Sequence, residues 1–129
     1  KGKGAWRNWE RISVSSVTAC ENALIATGFP YEIASRVDEI LERMRPVLSS
    51  CQGVRRCGAA ALDLAWTACG RFDAFYEDEL KPWDMAAGAL LVTEAGGSIS
   101  NLDGSPFDLR WSILAGNKAM HELIGKMIR

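Results

Sequence analysis

The sequence predicts an α/β domain, a mixed β-sheet layered between helices, and three observations carry that expectation. Short apolar runs closed by glycine, Ala23–Gly28 and Trp111–Gly116, read as buried strands. Stretches with apolar residues at helical spacing alternate with them. Hairpin-like pieces near both ends argue for a mixed sheet.

A chain of 129 residues is one domain by size and can bury a core. A net charge of −1 creates no field that favours nucleic acid or an anionic membrane. No apolar run approaches a membrane span. Cys20, Cys51, Cys57 and Cys69 show no Cys-x-x-Cys spacing, and no secretory signal opens the chain. Reduced thiols in a cytoplasmic protein are therefore expected. One histidine and no paired cysteines argue against zinc. The start, Lys1-Gly2-Lys3-Gly4 without an initiator Met, suggests a piece of a longer protein.

Taken in order, Arg11–Val14 alternates like a short strand after a turn at Asn8-Trp9. Ala23–Gly28 is the first buried strand, broken by Gly28-Phe29-Pro30. A helix is predicted over 33–48. Val37, Ile40, Leu41 and Met44 form its apolar stripe. Arg36, Asp38, Glu39, Glu42, Arg43 and Arg45 form a face read as solvated, and Pro46 marks the end of regular pairing. Gly53–Arg56 is a brief strand, and a second helix covers 58–69, stopped by Gly70. The small residues Ala59–Ala61 let another backbone or a ligand approach the start of that helix, where free amides attract anions and hydroxyls. Arg71–Glu77 reads as a strand with Glu77 at its carboxyl end, the place where ligands gather in open α/β sheets. Ser98–Ser100 is a strand, Asn101–Gly104 a turn, and Asn117 caps a last helix over 118–128. His121 falls off the apolar stripe of that helix and is expected to be exposed.

The central stretch is Lys81–Gly97. Pro82 is tolerated before a helix or in its first turn, and Asp84 stands where an N-cap would stand. Ala86, Ala87, Leu90, Leu91 and Ala95 predict a helix over 84–95 that is apolar nearly all round and hence buried. Gly96-Gly97 ends it. A lone carboxylate at the mouth of such a helix is either a cap or an anchor for something positive, such as a metal ion. Seven residues separate Glu77 from Asp84, so two carboxylates can share one rim. Asp78 and Glu79 are equally acidic, and by residue type alone all four fit a loop surface.

Trp83-Asp84-Met85-Ala86-Ala87-Gly88, followed by Glu94-Ala95-Gly96-Gly97, resembles the C-terminal signature of the inositol monophosphatase family. Weaker likeness runs from Gly2-Lys3-Gly4-Ala5 through Ala26–Tyr31 to Ala115-Gly116. The resemblance implies hydrolysis of a phosphate monoester of a polyol or sugar with Mg2+, by an enzyme that forms homodimers. It implies that Asp84 is a magnesium ligand, that Glu77 binds substrate hydroxyls, and that Gly58, Ala59 and Ala60 form the helix start touching the sugar ring. Three departures matter. Ala59 stands where the family often has Ser or Thr, which removes a hydroxyl group from the ring's surroundings. Trp9 stands where the family commonly has the glycine of a tight Asn-Gly hairpin, which takes away the residue that supplies the positive φ of that turn. The Gly-x-Glu-Glu and Asp-Pro-x-Asp-Gly-Thr segments, which supply most metal ligands and the water activator, do not occur in these residues. No catalytic residue is therefore assigned. The chain is expected to act with an N-terminal half of the same enzyme, to be inactive alone, and to carry an apolar exposed face. The other expectation is a truncated non-catalytic homologue serving as a binding or oligomerisation module.

Overall fold

The computed structural model describes residues 1–129. A small hairpin of β1 (Ala5–Arg7) and β2 (Glu10–Ile12) precedes the main sheet. The sheet is built from β3 (Leu24–Thr27), β4 (Gly53–Arg55), β5 (Ala74–Asp78), β6 (Ser98–Ser100) and β7 (Ser112–Gly116), in the order β4-β3-β5-β7-β6. β3 lies parallel to both β4 and β5, while β7 runs antiparallel to β5 and β6. The sheet is therefore mixed. Four helices cover it: α1 (Val37–Ser50), α2 (Ala60–Ala68), α3 (Pro82–Glu94) and α4 (Lys118–Ile128).

Side chains alternate across the central strands and feed two cores. Ala26, Phe75, Ile113 and Ala115 pack with Leu64 of α2 and with Met85, Ala89 and Val92 of α3. Ile25, Ala74, Tyr76 and Leu114 pack on the opposite face with Val47 of α1 and Met120 and Ile124 of α4. This double cover is why β3, β5 and β7 read as continuous apolar runs rather than alternating ones. The approach of α2 to α3 is very close, because a Cβ on Gly88 would lie 2.4 Å from Leu64 Cβ.

Several expectations need correction. α1 runs through Pro46 to Ser50, preceded by a 3₁₀ turn at Ile33–Ser35. Pro46 removes one amide donor, but Val47 is fully buried and its carbonyl accepts from Cys51 N, which holds the last turn in place. The stripe expected to be buried on α1 is partly outside: Val37 and Leu41 are exposed. α3 buries only one face, with Ala86, Ala87 and Leu90 outward. The turn at Asn8-Trp9 does close a tight hairpin. Both residues take left-handed conformations, φ 50° and 69°, so Trp9 carries a steric penalty that glycine would avoid. Val14 lies beyond β2 and bonds through its amide to Ala95 O. His121 is half-buried, with Nε2 3.0 Å from Ser100 Oγ, because α4 lies across β6 rather than beyond it. No helix is long and apolar enough to cross a membrane.

Candidate active site

The carboxyl ends of the two parallel strands β3 and β5 open into a cavity of about 750 Å³. Gly28, directly after β3, and Glu77, near the end of β5, form its floor with the start of α2 at Gly58, Ala59 and Ala60. Asp84, in the first turn of α3, stands on the rim with Lys81 and Trp83, and Tyr31, Ile33 and Trp111 close the sides. The five residues singled out in the sequence thus line one cavity.

Local chemistry explains each position. Gly58 is left-handed at φ 85°, which turns the chain into α2 without a Cβ clash. Ala59 is the extended N-cap residue of α2 and has no side chain to cap with, so the first amides of the helix are not satisfied by a hydroxyl. Asp84 is not the N-cap of α3. Lys81 holds that position, Pro82 begins the helix, and Asp84 Oδ2 reaches back to accept from Lys81 N at 2.9 Å. Its other carboxylate oxygen makes no hydrogen bond within the chain.

Two acids titrate abnormally here. Burial, reinforced by the nearby Asp63 carboxylate and opposed by Arg56, pushes Glu77 up to about 7. Burial also raises Asp63, against the lowering effect of the Cys57 thiol and Arg56. Asp63 is 1% exposed, and apart from the nearby Cys57 thiol, which makes no well-aligned bond, neither carboxylate oxygen has a hydrogen-bond partner. Positive charge at the rim rests on aromatic faces: Arg56 lies 5.8 Å from the Phe29 ring centre and Lys81 Nζ 5.1 Å from that of Trp111. A wider depression of about 940 Å³ lies beyond Asp78, but its charges are largely paired internally, Arg36 and Arg43 on Asp78 and Arg110 on Asp108.

The residues present do not by themselves fit a magnesium ion. Such an ion needs near-octahedral oxygen coordination. No group of three or more His, Cys, Asp or Glu side chains comes together to hold a metal, and Asp84 brings one carboxylate to the rim. Sequence reasoning does not find Asp63, Arg56 or the role of Gly28. An acid inside the apolar run of α2 is the visible signal for Asp63. The other two depend on contacts between distant segments.

Comparison with known proteins identifies the family. The chain is 48% identical over 120 residues to a protein named Nus factor SuhB from Pseudomonas aeruginosa, covering 91% of this chain and 44% of that one. It is 43% identical over 132 residues to an inositol-1-monophosphatase of Caulobacter vibrioides, covering 100% of this chain and 52% of the relative. The native crystal structure of extragenic suppressor protein suhB from Bartonella henselae superposes with a TM-score of 0.94 at 40% identity, covering 99% of this chain and 50% of that one. Inositol monophosphatase from Anabaena gives a TM-score of 0.91 at 38% identity, with 98% and 50% covered. The chain spans about half the length of the relatives it matches. The profile of the inositol monophosphatase family matches residues 1–129 throughout, and the chain belongs to that family.

Proposed function

We propose that these residues form the substrate-binding half of a magnesium-dependent phosphatase that hydrolyses a phosphate monoester of a polyol or sugar. The observation that carries the reading is the convergence of Glu77, Asp84 and the Gly58–Ala60 helix start on one cavity. A floor of free amides and a carboxyl group able to donate or accept suits a polyhydroxylated ligand. In this reading Glu77 binds hydroxyls, Gly58–Ala60 lie against the ring, and Asp84 gives one oxygen to magnesium. The remaining metal ligands and the group that activates water come from the part of the relatives' length that these residues do not match. The outward apolar residues of α2 and α3, Leu62 and Leu90 at 44% and 43% exposure, support a further layer of protein over them. Homodimer formation and a cytoplasmic location belong to the same reading, and the four free cysteines are consistent with a reducing compartment.

Phosphate release from inositol and sugar monophosphates tests this, comparing residues 1–129 with a protein of the relatives' full length, with and without magnesium. Turnover is expected only in the longer protein with the metal. Turnover by residues 1–129 alone would refute the division of labour.

A second reading has its own support. One relative carries the name Nus factor, and Trp6 and Trp9 on the hairpin are 56% and 96% exposed. These features suit a binding module without catalysis. A full-length protein with no phosphatase turnover, yet a defined oligomer or complex by light scattering, would favour it.

A further inference from the structure

The charged face of α1 is not simply solvated. Arg36, just before α1, grips Glu39 at two points, Nε to Oε2 at 3.0 Å and Nη2 to Oε1 at 2.7 Å. The same guanidinium reaches across to β5 and the segment after it, pairing with Asp78 at 2.7 Å and Glu79 at 2.6 Å. Arg43 adds bonds of 3.0 Å to Asp78 and to Glu39. Two cations and three carboxylates therefore tie α1 to the two residues that directly follow Glu77. Asp78, only 15% exposed at its side chain, is the shared centre.

The segment so gripped is a strained one. Glu79 sits at φ 56°, a left-handed conformation that a residue with a Cβ avoids. Such a conformation persists only when its surroundings hold it. Beyond it, Leu80 N bonds to Trp111 O and Lys81 N to Asp84 Oδ2. The second bond holds Asp84 directly and the first ties Leu80 to the segment before β7, so the ion pairs act mainly on the Glu77 side of the loop, where they add to the pairing of Asp78 with Ser112 of β7.

We propose that Arg36 is a positioning residue for Glu77: by clamping Asp78 and the left-handed Glu79, it fixes the end of β5 and so sets where the Glu77 carboxyl meets the substrate hydroxyls. This rests on the substrate role given to Glu77 above. Arg36 touches no substrate, and the clamp acts through the backbone.

The test uses the full-length protein. Arg36→Ala is expected to raise KM about 5- to 20-fold while kcat stays within about twofold, because the hydroxyl recognition it disturbs lies away from the bond that breaks. Arg36→Lys recovers only part, since one ammonium does not reproduce a guanidinium that engages three carboxylates. Glu79→Gly is the informative rescue. Glycine adopts the left-handed conformation unaided, so the double variant Arg36→Ala/Glu79→Gly is expected to return close to the KM of Glu79→Gly alone. Because Glu79→Gly also relieves backbone strain and so stabilises the fold, the rescue is read in KM at unchanged kcat and not in stability. Hydrogen exchange at residues 77–81 supplies a readout free of turnover. It is expected to quicken in Arg36→Ala while exchange in α4 stays as in the wild type. Unchanged exchange overturns the clamp. Faster exchange with an unchanged KM, or with an equal fall in kcat and kcat/KM, overturns its role toward Glu77. A full-length protein without any phosphatase turnover overturns the functional reading and Arg36's part in it, while exchange still shows whether the clamp holds the loop.

Discussion

The Glu77 carboxyl group lies against the backbone of Gly28: a Cβ placed on Gly28 would stand 2.1 Å from Glu77 Cδ. β3 and β5 pair in parallel with Thr27 opposite Tyr76, so the next residue on each strand meets at the cavity floor. Gly28→Ala therefore forces the carboxyl aside. The clash is with the tip of a flexible side chain, so the stability loss should stay below about 1 kcal/mol. KM in the full-length protein should rise about tenfold, with kcat little changed. Steady-state kinetics together with a urea titration check both halves of the expectation.

Glu77 also sets a pH signature. Its folded-state value is about 7 against an ordinary value of 4.5, through burial first and then Asp63, with Asp78 and Asp84 adding and Arg56 opposing. The folded chain therefore holds a proton on this group that the unfolded chain has released. Its contribution to stability is greatest below about 4.5, shrinks as pH rises toward about 7, and is flat above. Replacing it by glutamine should flatten the decline in urea midpoint across that window. A Glu77→Gln protein with the wild-type pH profile would contradict the shift.

Gly88→Ala probes the seam between α2 and α3. The added methyl would meet Leu64 at its Cβ, 2.4 Å away, and neither helix backbone can yield freely. Overpacking of this kind costs about 1–3 kcal/mol. Thermal or urea unfolding should show that loss. Both helices carry site residues, so the full-length enzyme should lose turnover as well.

Asp84→Asn separates capping from metal binding. Asparagine retains an oxygen for the Lys81 amide, so the start of α3 should survive and stability should change little. If Asp84 is a magnesium ligand, loss of its charge should cut magnesium-dependent turnover by about 100-fold or more. Full activity at limiting magnesium would exclude the ligand role.

The layered mixed sheet is legible in the sequence because its signals are local. Glycines close the apolar runs of β3 and β7, and Gly70 and Gly96 stop α2 and α3. The place of Asp84 inside the first turn of α3 is not legible. Pro82 is equally at home before a helix or as its first residue, and only the bond to Lys81 N decides. The outward faces of α1 and α3 mislead for a different reason. Periodicity shows which residues share a face, not what covers it. His121 reads as exposed because its partner, Ser100, lies 21 residues away on another element. The Glu77–Gly28 approach and the Arg36 clamp escape inspection for the same cause, since each joins segments more than 40 residues apart in the chain.

The reversal of β7 has a consequence for how this site can diversify. Had β7 run parallel to β5, its entry would lie at the far edge of the sheet. Because it runs antiparallel, the stretch entering it arrives at the same edge that β3 and β5 leave, and Trp111 becomes a wall of the cavity. That stretch, residues 101–111, sits outside both cores except for Leu102 and the flanking Phe107 and Leu109. It can therefore be exchanged as a cassette if those three anchors are retained together with the backbone bonds of Leu102 to Ser112 and Arg129 and of Leu80 N to Trp111 O. Such a swap would reshape one side of the chamber while Glu77 and the start of α2 stay fixed by elements it does not touch, and Asp84 stays held by its own bond to Lys81 N.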